Sequence, residues 1–141
     1  MMKKIIFVSM LCTLLFSCKK DQAVEETSSI VGSWHLTALE QIDTRSVTVG
    51  QEEVDIYINF TSQNTFQLYQ MVGAGKYRSF SGTWLLDGDE LSGTYDDKTA
   101  WGTKYRVELN NSKTKLILTS ASEQYIYEKE QIPDSILSGA K

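Results

Sequence analysis

The chain has 141 residues, with 14 Lys+Arg against 18 Asp+Glu and a formal net charge of -4. That length argues for one domain, and a 41% hydrophobic content supplies a packed core, which excludes wholesale disorder. The acidic excess excludes a nucleic-acid binder driven by charge, and one His with two Cys excludes a His-rich or Cys-rich metal centre.

Met1 to Ser17 reads as a secretory signal. Lys3 and Lys4 form a positive start, and Ile5 to Phe16 is apolar but shorter than the about 20 residues a spanning helix needs. Leu15-Phe16-Ser17-Cys18 resembles the bacterial lipobox, in which a small residue precedes a Cys that is acylated and becomes the first residue. Phe16 is its loosest match. Cleavage there removes Cys12 and leaves Cys18 as the only cysteine, so no intramolecular disulfide forms. Acyl chains contribute about 0.8 kcal/mol per buried CH2, so a multiply acylated Cys18 is a firm membrane anchor (a palmitate-type modification). The implied address is the cell envelope, at the outer membrane. Lys19 to Ser29 is polar and aperiodic and reads as a flexible tether of at most about 37 Å. Its charged start, Lys19-Lys20-Asp21, resembles sorting segments of some surface lipoproteins; a solvated linker is the simpler reading.

From Ile30 onward the chain alternates apolar and polar residues, with turn signals every 8–14 residues. This pattern predicts an all-β domain over 30–130 and a C-terminal tail over 131–141. Ile30 to Glu40 is the first strand. Val54 to Phe60 places Val54, Ile56, Ile58 and Phe60 on one face. Thr65 to Val72 and Lys76 to Leu86 follow, parted by Gly73-Ala74-Gly75. Asp87-Gly88 is a hairpin signal, because both residues reach positive φ cheaply. Glu90 to Tyr95 returns, and Trp101 to Leu109, Thr114 to Thr119 and Gln124 to Lys129 complete eight strands. All connections are short except Gln41 to Glu53, which forces antiparallel neighbours. An eight-stranded up-and-down meander removes its edges by closing into a barrel, whose interior is filled by side chains or holds one small ligand.

Gly32-Ser33-Trp34 at the start of the first strand resembles the Gly-x-Trp signature of lipocalins. The run Ser81-Gly82-Thr83-Trp84-Leu85-Leu86-Asp87-Gly88-Asp89-Glu90-Leu91 is similar to a stretch of lipocalin-like domains in bacterial lipoproteins of the Bacteroidetes type. The resemblance covers about Ile30 to Lys129 and implies a calycin-class barrel that binds rather than catalyses. It makes Gly32, Trp34 and Trp84 structural signature residues, and the loop Gln41 to Glu53 sits where lipocalins carry a lid. The chain is shorter than typical lipocalins, lacks a Thr-Asp-Tyr motif and has no room for a full helix after the last strand.

In a meander, alternate connections share an end. The long first loop, Gly73–Gly75, Asp96–Ala100 and Ala121–Glu123 form the predicted mouth, while Trp34 and Trp84 fall at the other end as a plug. Parity then nominates ligand contacts: Gln70, Val72, Arg78, Phe80, Tyr95, Trp101, Tyr105 and Tyr125. Arg78 shares the face of Phe80, Trp84 and Leu86, so it either holds a ligand anion, pairs with an interior acid such as Glu40, or reaches the rim. The aromatics suit a pocket or a filled core. Lys104 and Arg106 face solvent.

His35 alternates opposite to Trp34 and Leu36, so it faces outward and carries no catalytic triad. Asp87-Gly88-Asp89-Glu90 lacks the calcium-loop pattern, and Asp96-Asp97 and Glu52-Glu53-Asp55 read as solvated loops. The expectation is therefore no enzyme, no metal and no cofactor. Two functions remain open: a membrane-tethered barrel that binds a small hydrophobic or amphipathic ligand, and a filled barrel acting as an interaction module for an envelope protein. The tail Glu130 to Lys141, with Pro133 and Ile136-Leu137, either covers one rim or is disordered.

Overall fold

The computed structural model describes residues 30–42 and 54–141. The signal segment, Cys18, the tether and the centre of the long first loop lie outside the described residues. Eight strands follow one another: β1 (Gly32–Gln41), β2 (Ile56–Phe60), β3 (Thr65–Gly73), β4 (Lys76–Asp87), β5 (Glu90–Tyr95), β6 (Tyr105–Leu109), β7 (Lys115–Thr119) and β8 (Glu123–Lys129). Each pairs antiparallel with the next, and β8 pairs back onto β1, closing the predicted barrel. A helix, α1 (Asp134–Gly139), follows the last strand.

The alternation in sequence becomes two faces in space. Trp34, Leu36, Ile58, Phe60, Phe66, Trp84, Leu91, Leu116, Leu118 and Tyr127 meet in one buried interior cluster. Its densest part is the end opposite the mouth. There Trp34 is fully buried and Trp84 is 3% exposed, and the Trp84 and Phe60 rings meet edge to face, 5.7 Å between centroids and 80° between planes. Burying an indole removes roughly 150–250 Å² from water, about 4–6 kcal/mol of transfer free energy. Neither indole loses its polar contact: Trp34 Nε1 donates to the Ile30 carbonyl at 2.9 Å and Trp84 Nε1 to the Thr65 carbonyl at 3.0 Å. The plug expected at this end is present.

Three local readings need correction. The register between β1 and β8 shifts between Leu36 and Ala38, a bulge at Thr37. Beyond it Leu39, not Glu40, stands opposite the inward Tyr125, so Glu40 is an exposed residue of the outer wall and no interior partner for Arg78. The sixth strand begins at Tyr105 rather than Trp101, whose segment 96–104 folds back as a loop. In the β4–β5 hairpin Asp87 pairs with Glu90, so the turn is centred on Gly88-Asp89, with Gly88 at φ 63°.

The tail covers neither rim. It runs along the outer wall, where Ile132 and Ile136 are each 6% exposed against Tyr57 and Tyr69, the outward residues of β2 and β3. The Lys141 backbone then bonds the free edge of β4: Ser79 N–H donates to the Lys141 carbonyl at 3.2 Å, and Lys141 N–H to the Tyr77 carbonyl at 3.3 Å. That edge is free because β5 pairs with β4 only from Gly82 onward. The short α1 contradicts a structureless tail; it is held by tertiary burial, because six residues are too few to be helical alone. Ile136→Ala should lower stability by about 2 kcal/mol, near the low end for a buried aliphatic because α1 can settle inward. A urea midpoint that does not move would show that the tail adds no stability.

Candidate functional site

The mouth half of the barrel is less full than the plug. A cavity of about 170 Å³ lies there, lined by Ile56, Ile58 and Leu68 from β2 and β3, Tyr95, Trp101 and Tyr105 around β5 and β6, and Leu118, Tyr125 and Tyr127 from β7 and β8. The sequence reading nominated Tyr95, Trp101, Tyr105 and Tyr125, and the fold brings all four to this cavity.

Trp101 is there because of Gly93. Strands β5 and β6 pair over two positions only, Glu90–Arg106 and Leu91–Tyr105. Past these, the loop after β5 supplies the wall: Trp101 N–H donates to the Gly93 carbonyl at 3.0 Å, and Thr94 bridges Ala100. The Trp101 indole lies on the bare backbone of Gly93, where a methyl group would stand 2.1 Å from the ring. From Trp101 the rings continue as adjoining walls. Trp101 and Tyr105 are 6.1 Å apart at 68°, and Tyr105 and Tyr125 are 5.8 Å apart at 88°. On the other side, Trp101 packs on Phe66 at 5.1 Å, and Phe66 on Tyr95 at 5.7 Å.

The polar groups of the cavity are few. Tyr125 Oη donates to Glu123 Oε2 at 2.7 Å. The hydroxyls of Tyr95, Tyr105 and Tyr127 have no side-chain hydrogen bond to a described residue. Burial pushes all four phenols up from the ordinary value of 10.0. For Tyr125 the hydrogen bond to Glu123 adds to burial; nearby negative charge adds for Tyr105 (Glu123) and Tyr95 (Asp97).

The other nominated residues stand elsewhere. Gln70 pairs in register with Arg78, and both are exposed on the rim. Val72 is 55% exposed beside the Gly73–Gly75 turn. Arg78 makes no ion pair with a described residue. Phe80 lines a wider groove of about 460 Å³ with Ser81, Tyr95, Asp96, Asp97 and Thr99, where β4 runs on beyond β5. This groove has the larger volume but is a surface trough; the interior cavity is the better enclosed and has the more continuous apolar lining. Tyr95 forms the partition between them. Gly32 stands at φ 135° at the entry to β1, with Lys129 against it. Ile56, Ile58, Leu68, Leu118 and Tyr127 were missed as cavity residues, although Tyr127 lies two positions from Tyr125 on the same face of β8.

His35 does face outward, but it is not a bare surface residue. Its ring stacks on Tyr57 at 4.2 Å; Nε2 lies 2.6 Å from Asp55 and Nδ1 2.7 Å from Glu130. Tyr77 donates a hydrogen bond to the second oxygen of Asp55. The cluster ties β1, β2 and β4 to the start of the tail. Lys104 and Arg106 are exposed, as expected, and pair with Glu90 at 2.8 Å and Glu108 at 2.6 Å. Among the described residues no group of His, Cys, Asp and Glu is arranged to hold a metal, and no helix is long and apolar enough to cross a membrane.

With this geometry in place, comparison with known proteins is informative. A model described as the lipocalin-like domain matches residues 30–116, more than half of the chain. The chain belongs to the lipocalin-like domain family. Among solved structures, this lipocalin-like barrel is similar to a lipocalin-like protein from Bacteroides uniformis, at 20% identity and TM-score 0.58, covering 72% of this chain and 99% of that one. A protein from Bacteroides eggerthii is similar at 21% identity and TM-score 0.55, covering 71% of this chain and 98% of that one. At these identities the likeness shows the fold alone. No curated protein matches the chain.

The raised phenols give this lipocalin-like barrel a directional pH response. A group whose pKa is higher folded than unfolded adds stability that is complete below its unfolded value and is lost as pH rises through the folded one. Stability should therefore fall from about pH 10 upward, because the unfolded chain releases its phenolic protons first. Tyr127→Phe removes a hydroxyl that has no hydrogen-bond partner among the described residues. It should change neutral-pH stability by less than about 1 kcal/mol yet flatten the alkaline fall, as read from denaturation midpoints at stepped pH. An unchanged alkaline slope would count against the burial of this phenol.

Proposed function

We propose that the protein is a lipid-anchored envelope protein whose barrel holds one small hydrophobic or amphipathic molecule. The observation that carries this reading is the half-open cavity of about 170 Å³ in the mouth half of the barrel, with apolar and aromatic walls and the hydroxyls of Tyr95, Tyr105 and Tyr127 bonded to no described side chain. Apolar walls with a few convergent polar groups are the usual make-up of a small-molecule site. Size sets the class of ligand. An engineered protein cavity of about 150 Å³ takes up benzene, so a single ring with one polar substituent fits this volume and a long acyl chain does not. Membership of the lipocalin-like family supports binding within the barrel, and the segment Leu15 to Cys18 after a charged and apolar leader supports the anchor.

Phenol is a probe of the right size and polarity. Saturating phenol should raise the melting temperature of the protein, by the linkage expected for a ligand that binds only the folded state. Leu118→Phe fills the cavity from β7 and should abolish that rise while leaving the barrel folded. An equal rise in both proteins would place phenol elsewhere and sink the cavity reading.

The anchor is tested separately in cells. Radiolabelled palmitate should be incorporated into the wild-type chain and not into Cys18→Ser, which should leave the membrane fraction. Labelling that survives the substitution would remove Cys18 from its assigned role.

A further inference from the structure

The walls and rim of the cavity also carry information about ligand charge. Tyr95, Trp101, Tyr105, Tyr125 and Tyr127 all line it, and the successive planes of Trp101, Tyr105 and Tyr125 meet at 68° and 88°. The face of an aromatic ring is electrically negative, and a space lined by several rings set at steep angles to one another can attract a weakly hydrated cation. Among the described residues no Lys, Arg or His lines the cavity. Glu123 stands at the mouth-side start of β8, one hydrogen bond from the cavity through Tyr125 Oη at 2.7 Å. Glu123 has no basic partner among the described residues. Asp97, in the loop after β5, accepts from Thr99, whose N–H lies at 2.9 Å, and has no basic partner among the described residues. The rim cations Lys76, Arg78 and Lys98 are exposed and make no ion pair with these carboxylates. Burial is the main cause of the raised Tyr105 and Tyr95 phenols, and the charges of Glu123 and Asp97 add to it.

We propose that the cavity is an aromatic cage for a small organic cation, an alkylated ammonium group, with Glu123 supplying the balancing charge through Tyr125. This rests on the binding reading above and adds the sign of the ligand's charge. It also moves the charged contact away from Arg78, the anion-binding candidate of the sequence reading. A buried wall residue supports a built site rather than an acidic surface patch: Tyr127 is 5% exposed as a residue, lines the cavity and has no side-chain partner among the described residues.

The test uses three probes of nearly one shape and different charge: choline, its carbon isostere 3,3-dimethyl-1-butanol, and 3,3-dimethylbutanoate. Each is titrated calorimetrically into the full chain. Choline should bind at least about fivefold more tightly than the neutral alcohol, and the carboxylate more weakly than both. Glu123→Gln should reduce the preference for choline to about twofold or less, with binding of the alcohol retained as proof of folding. Arg78→Ala should leave all three unchanged. A neutral alcohol that binds as well as choline, or a carboxylate that binds better, overturns the cationic assignment and leaves the binding barrel standing. Binding of phenol with none of the three does the same. If neither phenol nor any of the three binds, the cage and the binding barrel fall together.

Discussion

The indole of Trp101 resting on Gly93 closes a stretch of barrel wall that strand pairing leaves open. The β5–β6 ladder ends after two residue pairs, and a ladder that stops early leaves backbone groups and interior side chains open to water. Here a loop residue takes the place of a strand. Trp101 ties its own N–H to the Gly93 carbonyl and covers the gap with a ring. This substitution also builds the site, because the same ring forms one wall of the cavity and sets the position of Tyr105 beside it. Any side chain at position 93 would displace the indole and open both wall and cavity.

Tight packing and the cavity are separated along the barrel axis. The end holding Ile30, Trp34, Phe60, Trp84 and Leu116 is tightly packed, and both of its indole N–H groups are satisfied by backbone carbonyls. The mouth end gives up part of that packing. Its walls include Tyr95, Tyr105, Tyr125 and Tyr127, of whose hydroxyls only that of Tyr125 bonds a described side chain, that of Glu123. A site of this kind is affordable because the other end carries the burial. The outer wall contributes as well: Ile132 and Ile136 dry the outward tyrosines of β2 and β3, and His35 links Asp55 to Glu130 where the tail begins.

Much of this was legible in the residues because a strand's side chains alternate with a period of two, which makes the inward face readable once one strand is placed. Trp34, Ile58, Phe66 and Trp84 fall inward on that rule, and the short connections dictate antiparallel neighbours and so the ends on which each loop lies. What escaped the rule were departures from regular pairing. The bulge at Thr37 turned Glu40 outward, and the early end of the β5–β6 ladder made Trp101 a loop residue that nevertheless points inward. No local composition signals either event, since both arise from fitting eight strands of unequal length into one closed ring.

By itself, then, the sequence determined the strand order, the closed end with its two tryptophans and the aromatic character of the mouth, because these follow from local periodicity and turn chemistry. Only the tertiary structure decided that a cavity remains among those aromatics, that Arg78 stands on the rim while Glu123 sits beside a cavity tyrosine, and that α1 packs on the outer wall. Those outcomes depend on distances between residues far apart in the chain, which are set when the barrel closes and not before.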